Sequence, residues 1–368
     1  MSLPPVEIPL GAMRFNSDSQ KLEYWNGQIW MQIHTFNPDL DGGGRGVFAN
    51  GYASASPHYN NVIQYITIAT AGNAINFGDT IDKTSPRAGL GNATRGILAG
   101  GWNNPGETNR IETFVFASTG DSTDFGDLVD SRRNRDGAGS ATRGLFLGGY
   151  PTVAEIEYIT IASTGAAKDF GNLTQSRYNT GAASSPTRAL AMGGDNPATN
   201  IIDYVTIAST GDAQDFGDLV ASSQNNTASG NSIRAINASG GSDIEYVTIS
   251  TLGNAVDFAT NSNAGGNAAN SSCSSPTRFV ISGGGGSPGS VNDIISYIAI
   301  QTGGTAVDFG DLLEALQSHS GMSNCNGGLG LWEYYALIEY LDWVVQMPSM
   351  DQYFLVEMEF LLLQVVIG

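Results

Sequence analysis

The sequence predicts an all-β fold, a ring of six similar four-stranded sheets. Three observations predict it. A three-part mark recurs six times along the chain. Strong helix formers are scarce: Lys occurs only at Lys21, Lys83 and Lys168, while Gly fills 48 positions. The segment before the first copy and the segment after the last are unlike the copies, but one stretch near the end supplies what the first copy lacks.

The elements follow in chain order. Residues 11–33, GAMRFNSDSQKLEYWNGQIWMQI, read as a strand, a turn at Asn16–Ser19, a second strand, the Asn26-Gly27 turn and a third strand. The first mark of the repeat is an Arg ahead of a short apolar run, at Arg45, Arg95, Arg143, Arg188, Arg234 and Arg278, with spacings of 50, 48, 45, 46 and 44 residues. Four of these runs end in a Gly pair: ILAGG, LFLGG, LAMGG and VISGGGG. The second mark is an aromatic in the next run: Tyr65, Phe114, Tyr158, Tyr204, Tyr246 and Tyr297. The third is Phe in a DFGD-like string: Phe77, Phe125, Phe170, Phe216, Phe258 and Phe309.

Each copy reads as strands. IEYITIAS alternates β-branched and aromatic residues with smaller ones, the period of a half-buried strand. STGDAQDF places Gly and Asp between two such runs, which is hairpin chemistry. Small-residue runs such as NTGAASSP suit a strand crowded near an axis. Four strands in about 47 residues is the size of a propeller blade. Closure into a ring removes exposed sheet edges. The first Arg-led strand has no small-residue strand before it, whereas SHSGMSNCNGG, 318–328, is such a strand with no blade after it. Residues 318–326 are therefore expected to complete the first blade. The expected domains are an N-terminal hairpin module over 1–40, a propeller over 41–330 and an extension over 331–368. The extension carries six acids and no Lys or Arg. It reads as a divergent seventh blade, as an added interaction segment, or as a reading-frame accident.

The order of marks, a small-residue strand, a Gly-Gly strand, a Tyr strand and an aromatic strand, resembles the kelch repeat over about three quarters of the chain. One departure is Phe in DFGD where a kelch repeat usually has Trp. The wording TRG…GG…IEYITIAS-TG…DFGDL also resembles repeats of tailed-phage structural proteins, cyanophages in particular. Residues Arg14, Phe15, Asn16, Glu23, Tyr24, Asn26, Gly27 and Trp30 resemble a small module of phage tail fibres. These resemblances imply a non-enzymatic virion protein, a fibre, tail or neck appendage, displaying a kelch-like propeller for host attachment. They imply virion localisation and other virion proteins as partners, with host-surface polysaccharide as the ligand and a homo-oligomer such as a trimer as a further expectation. A purely structural decoration protein and a propeller-type carbohydrate-active or copper enzyme are the rival readings.

Composition narrows the classes further. A formal charge of −19 argues against a nucleic-acid surface. The two cysteines, Cys273 and Cys325, make no disulfide framework. The start lacks a basic and apolar leader, and Glu357 and Glu359 interrupt the most apolar stretch, so no membrane span is expected. His34, His58 and His319 show no local zinc spacing, and no metal or other cofactor is expected. No Ser-x-Asp-x-Gly-x-Thr-Trp box marks a sialidase. The six repeated Arg read as blade-serving, each in an ion pair or hydrogen bond to a neighbouring turn such as the DFGD acids, rather than as an anion ring on the axis. The repeated Phe and Tyr read as packing between blades. Recognition is expected where blades differ, in the link between the Gly-Gly strand and the Tyr strand. There His58, Tyr59, Trp102, Asn103, Asn104 and Tyr150 are the candidate ligand-binding residues.

Overall fold

The computed structural model describes residues 12–16, 21–33 and 44–325, except 55, 57, 86, 104, 240–241, 262–270 and 286–290. Asn104 and the extension 331–368 lie outside the described residues. The chain divides into two compact units, Met1–Leu40 and Asp41–Gly368.

In the first unit, Met13–Asn16, Lys21–Trp25 and Trp30–Ile33 form one antiparallel sheet. The Asn26 side chain accepts from the backbone N–H groups of Gln28 and Ile29, and Gly27 takes φ +94°, so the Asn-Gly pair makes the turn. Trp25 and Trp30 pack with centroids 5.6 Å apart, and the Arg14 guanidinium lies 4.2 Å over Trp30.

The second unit is a six-bladed β-propeller. Each blade has an inner, a second, a third and an outer strand, joined in an antiparallel meander. The inner strands are Ser320–Ser323, Ala88–Gly91, Asp136–Gly139, Gly181–Ser184, Thr227–Gly230 and Ser271–Ser274, for blades 1 to 6. Each touches the next around a closed circle. Their small side chains allow this: Gly89 faces Gly321 backbone, and Gly137 faces Gly89 backbone, at distances where a Cβ would have to push in. The ring closes on six, so the ring holds no seventh blade. It closes through the chain ends, because Ser320–Ser323 pairs antiparallel with Arg45–Ala49 in register Ser320↔Ala49.

The apolar residues gather between blades rather than in one central core. Among the described residues there are six such clusters, each drawn from two adjacent blades. One joins Phe48, Ile66 and Ile68 of blade 1 to Val280, Ile295 and Phe309 of blade 6. Full burial of side chains of this size contributes roughly 1.5–3 kcal/mol each.

The repeated marks stitch these seams. Each repeated Arg donates from Nη1 to the carbonyl of the residue just after the third strand of the next blade. Arg45 reaches Phe116 O, Arg95 reaches Ile161 O and Arg143 reaches Ile207 O, at 2.6, 3.0 and 2.8 Å. Arg188, Arg234 and Arg278 reach Ile249 O, Ile300 O and Ile68 O at 3.0, 2.7 and 2.8 Å, the last across the closing seam. The partner is therefore a backbone carbonyl, not the DFGD acids. In five blades the same guanidinium lies 4.5–5.0 Å over the repeated Tyr. The repeated Phe meets that Tyr edge-on.

Blade 2 corrects one expectation. Thr113, not Phe114, pairs with Ile97 as Tyr65 pairs with Val47. Phe114 takes the inward position of Ile66 instead, and packs edge-on to Phe77 and Phe116. The strand period of two explains it: a shift by one residue moves the ring to the other face.

The DFGD glycine has a separate task. Gly126 holds φ +148°, and a Cβ there would overlap the carbonyl of Gly165 in the next blade. Gly165 N–H in turn donates to Phe125 O at 2.8 Å. Blade 5 has Ala259 at this position, and its outer strand Val256–Thr260 pairs in parallel with Gly304–Thr305 of blade 6 instead.

Candidate functional site

Strand register defines two faces. The second strand starts at the repeated Arg and ends at the Gly pair, so those marks lie at opposite ends of it. Ala88 pairs with Ala99 and Gly181 with Met192, which sets the start of each inner strand beside the Gly-pair end. The axial mouth at the starts of the inner strands and the variable loops after the Gly pairs therefore share one face.

That face carries an arc of aromatic side chains over blades 1 to 4. In blade 1, Tyr52 stacks on His58 with centroids 5.0 Å apart and planes 9° from parallel, and meets Tyr59 edge-on at 5.6 Å. His58 Nδ1 lies 3.1 Å from Ala53 O, which fixes the ring. In blades 2 and 3, the Arg133 guanidinium lies 4.6 Å from the Trp102 centroid and 4.5 Å from that of Tyr150. Tyr150 meets Tyr178 of the next connection edge-on at 5.6 Å. Burial first, and then the Asp195 carboxylate beside it, hold the Tyr178 phenol above its usual value. Backbone bridges tie these residues in pairs: Trp102 to Ser85 and Glu107, Arg133 to Tyr150, and Tyr178 to Asp195. The aromatic residues thus stand on paired backbone, not on free loop.

The same face holds a cavity of about 100 Å³ lined by residues at the starts of the inner strands. Asn134 Nδ2 donates to Asn179 Oδ1 at 2.6 Å, and Asn179 Nδ2 donates to Asn225 Oδ1 at 2.8 Å. All three lie along its wall with φ between +53° and +57°, a conformation that Asn tolerates better than most residues. Asp136 and His319 also line it. Burial pushes the Asp136 carboxyl up to about 7, against hydrogen bonds from Ala182 and Gly137 N–H that lower it. Burial alone pulls the His319 imidazole down to about 3. Its Nε2 lies 2.8 Å from Ser282 Oγ, while Nδ1 finds no partner among the described residues. Thr180 Oγ1 on the same wall is equally unpaired and buried. A buried polar wall with open hydrogen-bonding capacity suits water or small hydroxylated groups.

Behind the wall lies a second periodic device. The third strands of blades 2, 3 and 4 each bury a carboxylate, Glu112, Glu157 and Asp203, against a buried Arg. The pairs are Arg87–Glu112 at 2.8 Å, Arg135–Glu157 at 2.6 Å and Arg177–Asp203 at 3.0 Å. Each carboxylate also accepts a backbone N–H from the blade connection, at Ile81, Val129 and Thr174. Burial would raise Glu112, but Arg87, the Ser122 hydroxyl and Ile81 N–H together outweigh it and hold the carboxyl below its usual value. Blade 5 keeps the carboxylate, Glu245, and its bond from Val220 N–H, but pairs no Arg with it among the described residues. Burial leads there, and Glu245 stands above its usual value.

The structure thus places five of the six sequence candidates on one face. Trp102 and Tyr150 share Arg133; His58 and Tyr59 share Tyr52. Asn103 is exposed beside Trp102 and makes no side-chain bond among the described residues, and Asn104 lies outside them. Sequence reading missed Tyr52, Arg133, Tyr178 and the asparagine ladder. The sequence signal for the ladder was present: Asn recurs two residues before the inner strand at Asn134, Asn179 and Asn225.

Among the described residues, no group of three or more His, Cys, Asp or Glu side chains gathers as a metal site would require. No described helix is long and apolar enough to cross a membrane. No family model matches the chain. No curated protein matches its sequence either. The fold itself is a six-bladed β-propeller, consistent with a kelch-like repeat.

Proposed function

We propose that the protein is a non-enzymatic virion component that displays its propeller to bind saccharide on a host surface. The observation that carries the binding half is the aromatic arc of Tyr52, His58, Trp102 and Tyr150, on the face that also holds a mouth walled by amides and hydroxyls. Flat rings with polar edges next to amide groups suit the apolar faces and hydroxyls of sugars. The virion half rests on the resemblance of the repeat and of the N-terminal module to tailed-phage proteins. Weak contacts multiplied by copy number would supply avidity on a particle.

Two measurements test it. Purified protein on a glycan array should bind a subset of saccharides, and Trp102→Ala should abolish that signal. The protein should also be present among the proteins of purified phage particles. Absence of any array signal removes the binding half, and absence from particles removes the virion half.

A further inference from the structure

Arg133 does not serve the repeat. The same position, three residues before the inner strand, holds Ser85, Tyr178, Gln224 and Gln317 in blades 2, 4, 5 and 1. The arginines that do serve the fold reach backbone carbonyls or buried carboxylates. Arg133 does neither. Its guanidinium lies over the rings of both Trp102 and Tyr150, and its Nε lies 3.6 Å from Glu107 Oε1. Its terminal nitrogens donate no hydrogen bond among the described residues. The side chain is 27% exposed, on the face that bears the aromatic arc. Backbone bonds between Arg133 and Tyr150 in both directions, at 3.4 and 2.8 Å, hold the pair in register.

A guanidinium that packs on two rings and donates nothing from its terminal nitrogens keeps a planar fork matched to two oxygens of one oxyanion. That packing also fixes the fork before any ligand arrives, which removes part of the ordering cost of binding. Glu107 balances the charge while the fork is empty. Tyr178, which meets Tyr150 edge-on and is half-buried, offers further aromatic surface for the sugar body that carries the oxyanion.

We propose that Arg133, held against Trp102 and Tyr150, anchors the carboxylate or sulfate of an acidic saccharide. This rests on the saccharide-binding reading above and deepens it. The test is titration calorimetry of the full chain with three size-matched oligosaccharides: a uronate, a sulfated form and a neutral one. One or both acidic forms should bind at least tenfold more tightly than the neutral one, and whichever does identifies the anion. Arg133→Gln should remove that preference with an unchanged unfolding midpoint, and Arg133→Lys should restore it in part. Glu107→Gln should tighten acidic binding severalfold, because the competing carboxylate is gone; a purely structural Arg133–Glu107 pair would not give this gain. Equal binding of the neutral form, or acidic binding that survives Arg133→Gln, overturns the anchor and leaves the saccharide reading standing. No binding of any of the three overturns both.

Discussion

Two arginines ten residues apart in blade 3 have opposite roles. Arg143 lies on the face where the second strands begin, reaches Ile207 O of blade 4 and covers Tyr158. Arg133 lies on the other face, where its side chain reaches no carbonyl among the described residues and packs on two rings. The first has a counterpart in every blade, and the second has none. The difference teaches that this propeller separates its duties by face. One face is uniform and locks blade to blade, while the other varies and presents side chains.

The largest expected effect belongs to neither face's repeated marks but to the buried ion pairs behind the axial wall. Arg135→Ala leaves Glu157 buried without its charge partner, which should cost about 3–5 kcal/mol in urea unfolding. Blade 5 sharpens the comparison, because its Glu245 already lacks an Arg. Glu245→Gln should accordingly cost less than Glu157→Gln, and an equal cost would show that the Arg pairs add nothing.

A second effect concerns pH at the axial mouth. The folded Asp136 carboxyl stands near 7, above an unfolded value near 3.8. Its contribution is full below about pH 4 and is lost as pH rises through 7. His319 has the opposite sign: it stands near 3, below 6.5, so its contribution is full above pH 6.5 and is lost as pH falls toward 3. In thermal scans from pH 4 to 8, Asp136→Asn should lose less stability than the parent as pH rises. A parallel pair of curves would place the Asp136 carboxyl at its ordinary value.

The smallest effect on stability belongs to the presenting face. Trp102→Ala should shift stability by no more than about 1 kcal/mol, since Trp102 is half-buried and joins none of the inter-blade clusters. A loss of 3 kcal/mol or more would make the aromatic arc part of the frame.

Much of the frame was legible in the sequence, because a ring of like blades repeats its letters. The closing strand could be read from a small-residue run lacking a blade, and Ser320–Ser323 does pair with Arg45–Ala49. What the letters hid has physical reasons. The partner of each repeated Arg is a carbonyl, which no residue type reports. The buried carboxylates find their Arg one residue before the inner strand at Arg87 and Arg135 but four before it at Arg177, so spacing alone does not pair them. Thr113 and Phe114 changed places because one residue of shift exchanges the faces of a strand. The Arg133 cluster draws on two different loops of the repeat, after the Gly pair and before the inner strand. Reading one variable loop at a time therefore found Trp102 and Tyr150 without the residue that joins them.

The division of duties is tested most directly by one paired measurement: unfolding midpoint and acidic-saccharide affinity for Arg143→Gln and Arg133→Gln side by side. The account predicts that Arg143→Gln loses about 1.5–3 kcal/mol of stability, the scale of a charged hydrogen bond, and keeps its affinity. It predicts that Arg133→Gln keeps its midpoint and loses affinity at least tenfold. Affinity lost in Arg143→Gln at an unchanged midpoint, or stability lost in Arg133→Gln at an unchanged affinity, would contradict it.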